Sequence, residues 1–302
     1  MTEPSRSDDE VDAMMFRARM PSIAMLPVPR GDDGTLHGTG TPGCWLRGAP
    51  SLPPEYEWPI FTFPHEPYQG FQVPMHFVVQ INLQYLPRVL GLPELPPKGT
   101  LFVFYDPVIA PFETRFRDVS PLHSGEAVRI IYHPEDASSY PLRTPPPLPD
   151  LTPLEDELIY EDGGLESGQG WPYDFVVIDT YPTLGTTVDG LRRVVQHSEE
   201  TEIALVQALG WSCCAEVRER EWTSSYKLNC IFGASKAQSV PQTKAQLAQR
   251  DLSHFPTLTE EDVLLFRLPF AQIAWGDQCT TFWINKKDLQ NADFSNVSIW
   301  ME

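Results

Sequence analysis

Short apolar runs broken by proline and glycine dominate the chain. His76 to Leu86 (His-Phe-Val-Val-Gln-Ile-Asn-Leu-Gln-Tyr-Leu) and Gly99 to Asp106 (Gly-Thr-Leu-Phe-Val-Phe-Tyr-Asp) are rich in β-branched and aromatic residues. Pro87, Pro93, Pro96 and Pro97 lie between them, and the pattern predicts two buried strands that neighbour one another in a sheet. Gln80 and Asn82 interrupt the first run. A buried amide left without hydrogen bonds costs about 1 to 3 kcal/mol, so each is a structural tie or part of a binding site. The same order returns near the C-terminus, where Phe270 to Asp277 contains Gln272-Ile273 and is followed by Thr280 to Ile284. Setting Gln80-Ile81 beside Gln272-Ile273, and Leu101 to Phe104 beside Thr281 to Ile284, predicts an internal duplication into two sheet modules folded against each other.

Further strands are expected at Ile23 to Val28, Phe175 to Asp179 and Val263 to Leu268. Helices are expected after Ser7, which caps a first turn of Asp8, Asp9 and Glu10, and after Ser198 through Leu209, where Gly210 stops the run. A third short helix is expected from Gln242 to Leu252. Strands and helices mix without strict alternation, which predicts an α+β, β-rich fold with two sheet modules and a few short helices. The expected division is an N-terminal helix (1–20), an N-terminal sheet module (21–140), a Pro-rich and acidic linker (141–170) and a C-terminal α+β module (171–302).

Composition narrows the function classes. A 41% hydrophobic content excludes a disordered chain, and 31 prolines in 302 residues exclude an all-helical one. The formal net charge is -19, from 22 basic and 41 acidic residues, a field that repels nucleic acid and anionic membrane and attracts basic surfaces. The charge is concentrated. From Thr144 to Leu191 there is no Lys or Arg, while Asp150, Glu155, Asp156, Glu157, Glu161, Asp162, Glu166, Asp174, Asp179 and Asp189 are acidic. The bland account of such a run is a solvated loop. The five cysteines show no C-x-x-C pairing, which disfavours zinc and a disulfide framework. The polar start is no secretory signal and no run is long enough to span a bilayer, so a cytoplasmic protein is expected.

Several motifs, in order, carry a resemblance. Gly48-Ala49-Pro50-Ser51-Leu52-Pro53, Trp58-Pro59, Gln80-Ile81-Asn82-Leu83, Leu86-Pro87, Gly99-Thr100-Leu101-Phe102-Val103-Phe104, Trp275-Gly276-Asp277, Asp288-Leu289 and Asp293-Phe294 resemble the YwqG-like proteins, a bacterial domain of unknown function. The resemblance spans roughly residues 20 to 302. It departs from the family where acidic residues usual before Trp-Gly-Asp are replaced by Leu268-Pro269-Phe270, where Cys279 replaces a Gly, and where Gly233-Ala234-Ser235 replaces a Gly-Tyr-Pro motif.

No catalytic constellation stands out. Seven scattered histidines form no H-x-x-x-H pair, Ser224 to Lys227 matches S-x-x-K without companion motifs, and Gly38 to Gly43 matches G-x-G-x-x-G outside any βα context. Asp277 is the best single polar candidate, although a Gly-Asp turn is explained by turn chemistry alone. The expectation is therefore a non-enzymatic acidic binding protein without cofactor or metal. Its partner would be a bacterial toxin effector with a basic cleft, for which the resemblance implies an immunity role. Glu155, Asp156, Glu157, Glu161, Asp162 and Glu166 would meet the basic surface, with Tyr160 and Trp171 as anchors. The alternatives are an enzyme or small-ligand binder with a cleft at Gln80, Asn82, Gln272, Trp275 and Asp277, and a scaffold docking through Pro145 to Pro149.

Overall fold

The computed structural model describes residues 20–29, 35–63, 69–90, 92–105, 128–150, 168–180, 229–233, 261–269 and 279–301. Twelve strands run through them: β1 (Met20–Pro27), β2 (Trp45–Gly48), β3 (Ile60–Thr62), β4 (Gln72–Pro74), β5 (His76–Asn82), β6 (Thr100–Tyr105), β7 (Val128–His133), β8 (Gln169–Thr180), β9 (Asn229–Gly233), β10 (Asp262–Pro269), β11 (Cys279–Asn285) and β12 (Ser298–Met301). A 3₁₀ turn (Leu83–Tyr85) follows β5, and a short helix α1 (Lys286–Gln290) follows β11, its first turn capped by the Asn285 side chain accepting from Lys287 N–H. The β-rich expectation holds. The helices expected at 198–209 and 242–252 lie outside the described residues, as do the run from Phe270 to Asp277 and all of the helix expected at 7–20 except Met20, which begins β1. No helix among the described residues is long and apolar enough to cross a membrane.

Ten strands form one sheet in the order β12-β11-β10-β9-β1-β8-β2-β5-β6-β7, and β3 with β4 forms a separate ribbon. The expected pairing of the two apolar runs is present as the antiparallel β5–β6 ladder. Every residue of β5 and β6 is buried, and two clusters explain why these strands do not alternate. On one face, Val79, Ile81, Leu101, Val103 and Tyr105 pack in a common core with Leu264, Leu265, Phe282, Trp283 and Ile284 from β10 and β11. The Tyr105 and Phe282 rings meet edge to face at 6.5 Å, so the two ends of the long sheet fold toward each other. On the other face, Phe77, Phe102 and Phe104 are covered by Trp45, Trp58, Phe61, Val73 and Met75, the last four from the β3–β4 ribbon and its flanks.

The sheet divides between β1 and β8 into two arms of five strands, whose outer four strands share register around one irregularity. Trp45 faces Gln80 and Leu46 faces Val79 between β2 and β5, as Cys230 faces Arg267 and Ile231 faces Phe266 between β9 and β10. An irregularity interrupts the β5–β6 ladder between Phe77 and Val79, and another interrupts the β10–β11 ladder between Leu264 and Phe266. Beyond it, Val79–Val103 and Gln80–Phe102 correspond to Phe266–Phe282 and Arg267–Thr281. At the edges, Phe102 faces Ile131 as Thr281 faces Trp300. In this register the place of Gln80 is taken by Arg267, five positions before Gln272. The sequence comparison matched the dipeptide Gln-Ile, whereas ladder register follows the position of the bulge. The first strand of each set is exchanged: β1 lies beside β9, and β8 lies beside β2.

Candidate functional site

Strand β2 ends in two residues in the left-handed region, Arg47 (φ 57°) and Gly48 (φ 71°). They swing the chain into the turn Ala49 to Pro53, where β2 crosses β8 so closely that a Cβ on Gly170 would overlap the Leu46 and Arg47 carbonyl oxygens. This turn gathers distant parts of the chain. Ala49 N–H donates to the Gly168 carbonyl at 2.7 Å, and Arg143 N–H donates to the Pro50 carbonyl at 2.8 Å. The Arg143 guanidinium donates to the Pro53 and Tyr56 carbonyls at 3.3 and 2.5 Å. Arg143 and Gly168 are thereby both bonded to the Ala49–Pro50 turn. Arg143 is also the last basic residue before the acidic run.

Beneath the turn the Gln80 amide is bonded through both its oxygen and its nitrogen. Its Oε1 accepts from Ser51 N–H at 2.9 Å and from the Ser51 hydroxyl at 3.0 Å, and its Nε2 donates to the Gly43 carbonyl at 3.2 Å. The Tyr173 hydroxyl donates to the Gln80 backbone carbonyl at 2.9 Å. Asn82 Oδ1 accepts from Gln84 N–H at 3.3 Å, and Asn82 N–H donates to Cys44 Sγ at 3.2 Å. Asn82 Nδ2 has no hydrogen-bond partner among the described residues, and Gly43 covers it. Burial pushes the Cys44 thiol up to about 12 and the Tyr173 phenol well above its ordinary range, so at neutral pH both stay protonated. At 0% and 1% exposure, Gln80 and Asn82 are buried, and their side-chain hydrogen bonds tie β5 to the segments around Gly43, Ser51 and Gln84.

Two histidines flank this region. His133 Nδ1 lies 3.4 Å from the Tyr56 hydroxyl and 3.7 Å from Glu55 Oε1, with Tyr56 and Tyr140 edge-on to its ring. The cluster pins the 53–58 loop onto β7, an edge of the sheet. His76, buried at the start of β5, is held down to about 4, first by burial and then by the Arg47 charge. The sign follows. The folded protein favours neutral His76, so the unfolded chain binds the extra proton between pH 6.5 and about 4, and stability is full above 6.5 and falls as the pH drops through that window. The expected loss is about 3 kcal/mol at pH 4. In urea titrations across this range, His76→Gln should remove most of the slope; an unchanged slope would place the acid sensitivity elsewhere.

The remaining expected residues are placed as follows. Trp171 is half-buried on β8 and its indole N–H donates to the Val28 carbonyl at 2.6 Å, so the fold itself uses this ring. Glu155, Asp156, Glu157, Tyr160, Glu161, Asp162 and Glu166 lie outside the described residues, as do Gln272, Trp275 and Asp277. Gly38 to Gly43 lies along β8, with Thr41 N–H donating to the Tyr173 carbonyl at 2.8 Å and the Thr41 hydroxyl to Asp174 at 3.1 Å. The Pro-rich stretch Pro145 to Pro149 follows Arg143 and is half-buried to exposed. Sequence reasoning missed Ser51, Tyr173 and Arg143. Only Ser51 stood inside a quoted motif, and nothing local marks the other two as partners of residues about ninety positions away. Among the described residues no group of three or more His, Cys, Asp or Glu side chains is placed to hold a metal ion. Among curated proteins none matches the chain. A family model described as "Domain of unknown function (DUF1963)" matches residues 45–302, from the first residue of β2 through the last strand, and the chain therefore belongs to that family.

Proposed function

We propose that this protein is a non-enzymatic binding protein whose acidic segment engages a basic surface on a protein partner, and that the partner is a toxin effector neutralised by occlusion of its basic cleft. The observation that carries the reading is the coincidence of charge and anchoring. The run between Arg143 and Gly168 contains Asp150, Glu155, Asp156, Glu157, Glu161, Asp162 and Glu166 with no basic residue, and both of its ends are fastened to the Ala49–Pro50 turn. Uncompensated carboxylates steer a basic partner at long range, and a fixed base limits where they can be presented. The resemblance to YwqG-like proteins supports an immunity role. It also fits a pair of duplicated modules, since the two arms share register and bulge position.

The test is charge reversal. Glu155→Lys, Glu157→Lys and Glu161→Lys together should weaken partner binding by about tenfold or more and flatten its dependence on salt, because exposed charges act through screened Coulomb forces. Thermal stability should stay within a few degrees of the unmodified protein. Unchanged affinity and salt slope would remove the acidic segment from the interface.

A further inference from the structure

We propose that the lane between β8 and β9 is a strand-binding site for an extended peptide with apolar residues at alternate positions, filled in cis by β1. β1 is hydrogen-bonded on both sides. Eight of its residues are registered against β8, from Met20–Thr180 to Pro27–Tyr173, and four against β9, from Ser22–Gly233 to Met25–Asn229. It thereby joins the four strands β12-β11-β10-β9 to the five strands β8-β2-β5-β6-β7. Two of its side chains enter the common core, Ile23 at 1% exposure and Met25 at 0%. The strand is also latched at its end, where Val28 N–H donates to the Pro172 carbonyl at 2.9 Å and the Val28 carbonyl accepts from the Trp171 indole at 2.6 Å. Main-chain hydrogen bonds to two flanking strands give affinity, and pockets for alternate side chains give selectivity, which is the chemistry of strand addition.

The place of β1 in the chain makes it separable from the lane. The family match begins at Trp45 and contains both flanking strands but not β1. The reciprocal exchange of β1 and β8 between the arms also means that each arm takes the strand that meets the other arm from the other half of the sequence. Strand insertion is thus the way the halves are joined, and the lane recognises a strand by ladder and side-chain pattern.

The test uses the full-length Ile23→Asp, Met25→Asp variant, refolded with and without a labelled synthetic peptide of residues 18–30. Without peptide, two carboxylates in the core should prevent insertion of β1 and lower the thermal midpoint by about 10 °C or abolish the cooperative transition. With a tenfold excess of the wild-type peptide, the transition should return and one labelled peptide should be retained per chain on gel filtration. Three results would overturn the proposal: a variant that keeps the wild-type transition unaided, failure to retain or respond to the wild-type peptide, or equal rescue by a peptide carrying the same two aspartates.

Discussion

Replacing Gly170 by alanine should lower the thermal midpoint by about 10 °C, more than any other single methyl group added to the described residues. The Cβ would overlap the Leu46 and Arg47 carbonyl oxygens, which are backbone atoms and cannot move aside as a side-chain tip could. Gly48 is locked into the same crossing, with φ 71° and the Gly168 carbonyl 2.6 Å from where its Cβ would stand. To admit a methyl group, β2 must move off β8 and break the pairs Trp45–Pro172, Leu46–Trp171 and Gly48–Gln169. Overpacking with loss of part of a ladder costs about 3 to 5 kcal/mol. Scanning calorimetry of Gly170→Ala checks it, and a midpoint within about 2 °C of the parent would show that the crossing is looser than described. The same variant should loosen the Ala49–Gly168 hydrogen bond and with it the base of the acidic segment, so partner affinity should fall together with stability.

Replacing Gln80 by leucine should cost about 3 kcal/mol even though the position lies in an apolar strand. Leucine suits the surroundings in size. Its failure is one of pairing: the Ser51 N–H and hydroxyl lose their acceptor and the Gly43 carbonyl loses a donor, all in the interior. Ser51→Ala removes one hydroxyl and should cost about 1 kcal/mol. Because the two side chains share a hydrogen bond, the double variant should be less damaging than the sum, with a coupling of more than about 0.5 kcal/mol in urea titrations. Additive losses would mean that the amide and the hydroxyl act independently. A neutral Gln80→Leu would mean that the turn finds other partners.

Much of the N-terminal arm was legible in the chain because its signals are local. The β5–β6 pair rests on β-branched and aromatic runs closed by prolines, and the strands at β1 and β10 rest on the same signals. β2 was not legible: Trp45 to Gly48 is a short strand next to a Pro-rich turn, and it is a strand because β5 and β8 lie on either side of it. β7 was missed for a similar reason, since it pairs on one side only and its residues alternate imperfectly between buried and exposed. The β8 strand was read from Phe175 but begins at Gln169, because Pro172 and two glycines hid its first half. Of the site, Gln80 and Asn82 could be marked as residues needing partners, and the partners are in fact there for Gln80. That those partners are Ser51 and Gly43, or that Arg143 bonds the same turn, is tertiary information that spacing does not encode.

The arrangement of the two arms shows the limit of pattern matching most clearly. The dipeptide Gln-Ile at both positions 80 and 272 suggests one correspondence; the irregularities in the two ladders set Gln80 beside Arg267, and Gln272 lies outside the described residues. Identical residues are weak evidence of equivalence in short strands, whereas the position of an irregularity in a ladder is set by the geometry of the sheet.

The most direct measurement is a pull-down of the tagged protein from its own cells, washed at low and high salt, beside the Glu155→Lys, Glu157→Lys, Glu161→Lys variant. The account predicts one stoichiometric partner with a basic surface that is held at low salt, released at high salt and lost from the variant, and that is toxic when expressed without this protein. Retention of a partner equally well by the variant and at high salt, or recovery of the protein alone in every growth condition, would contradict it.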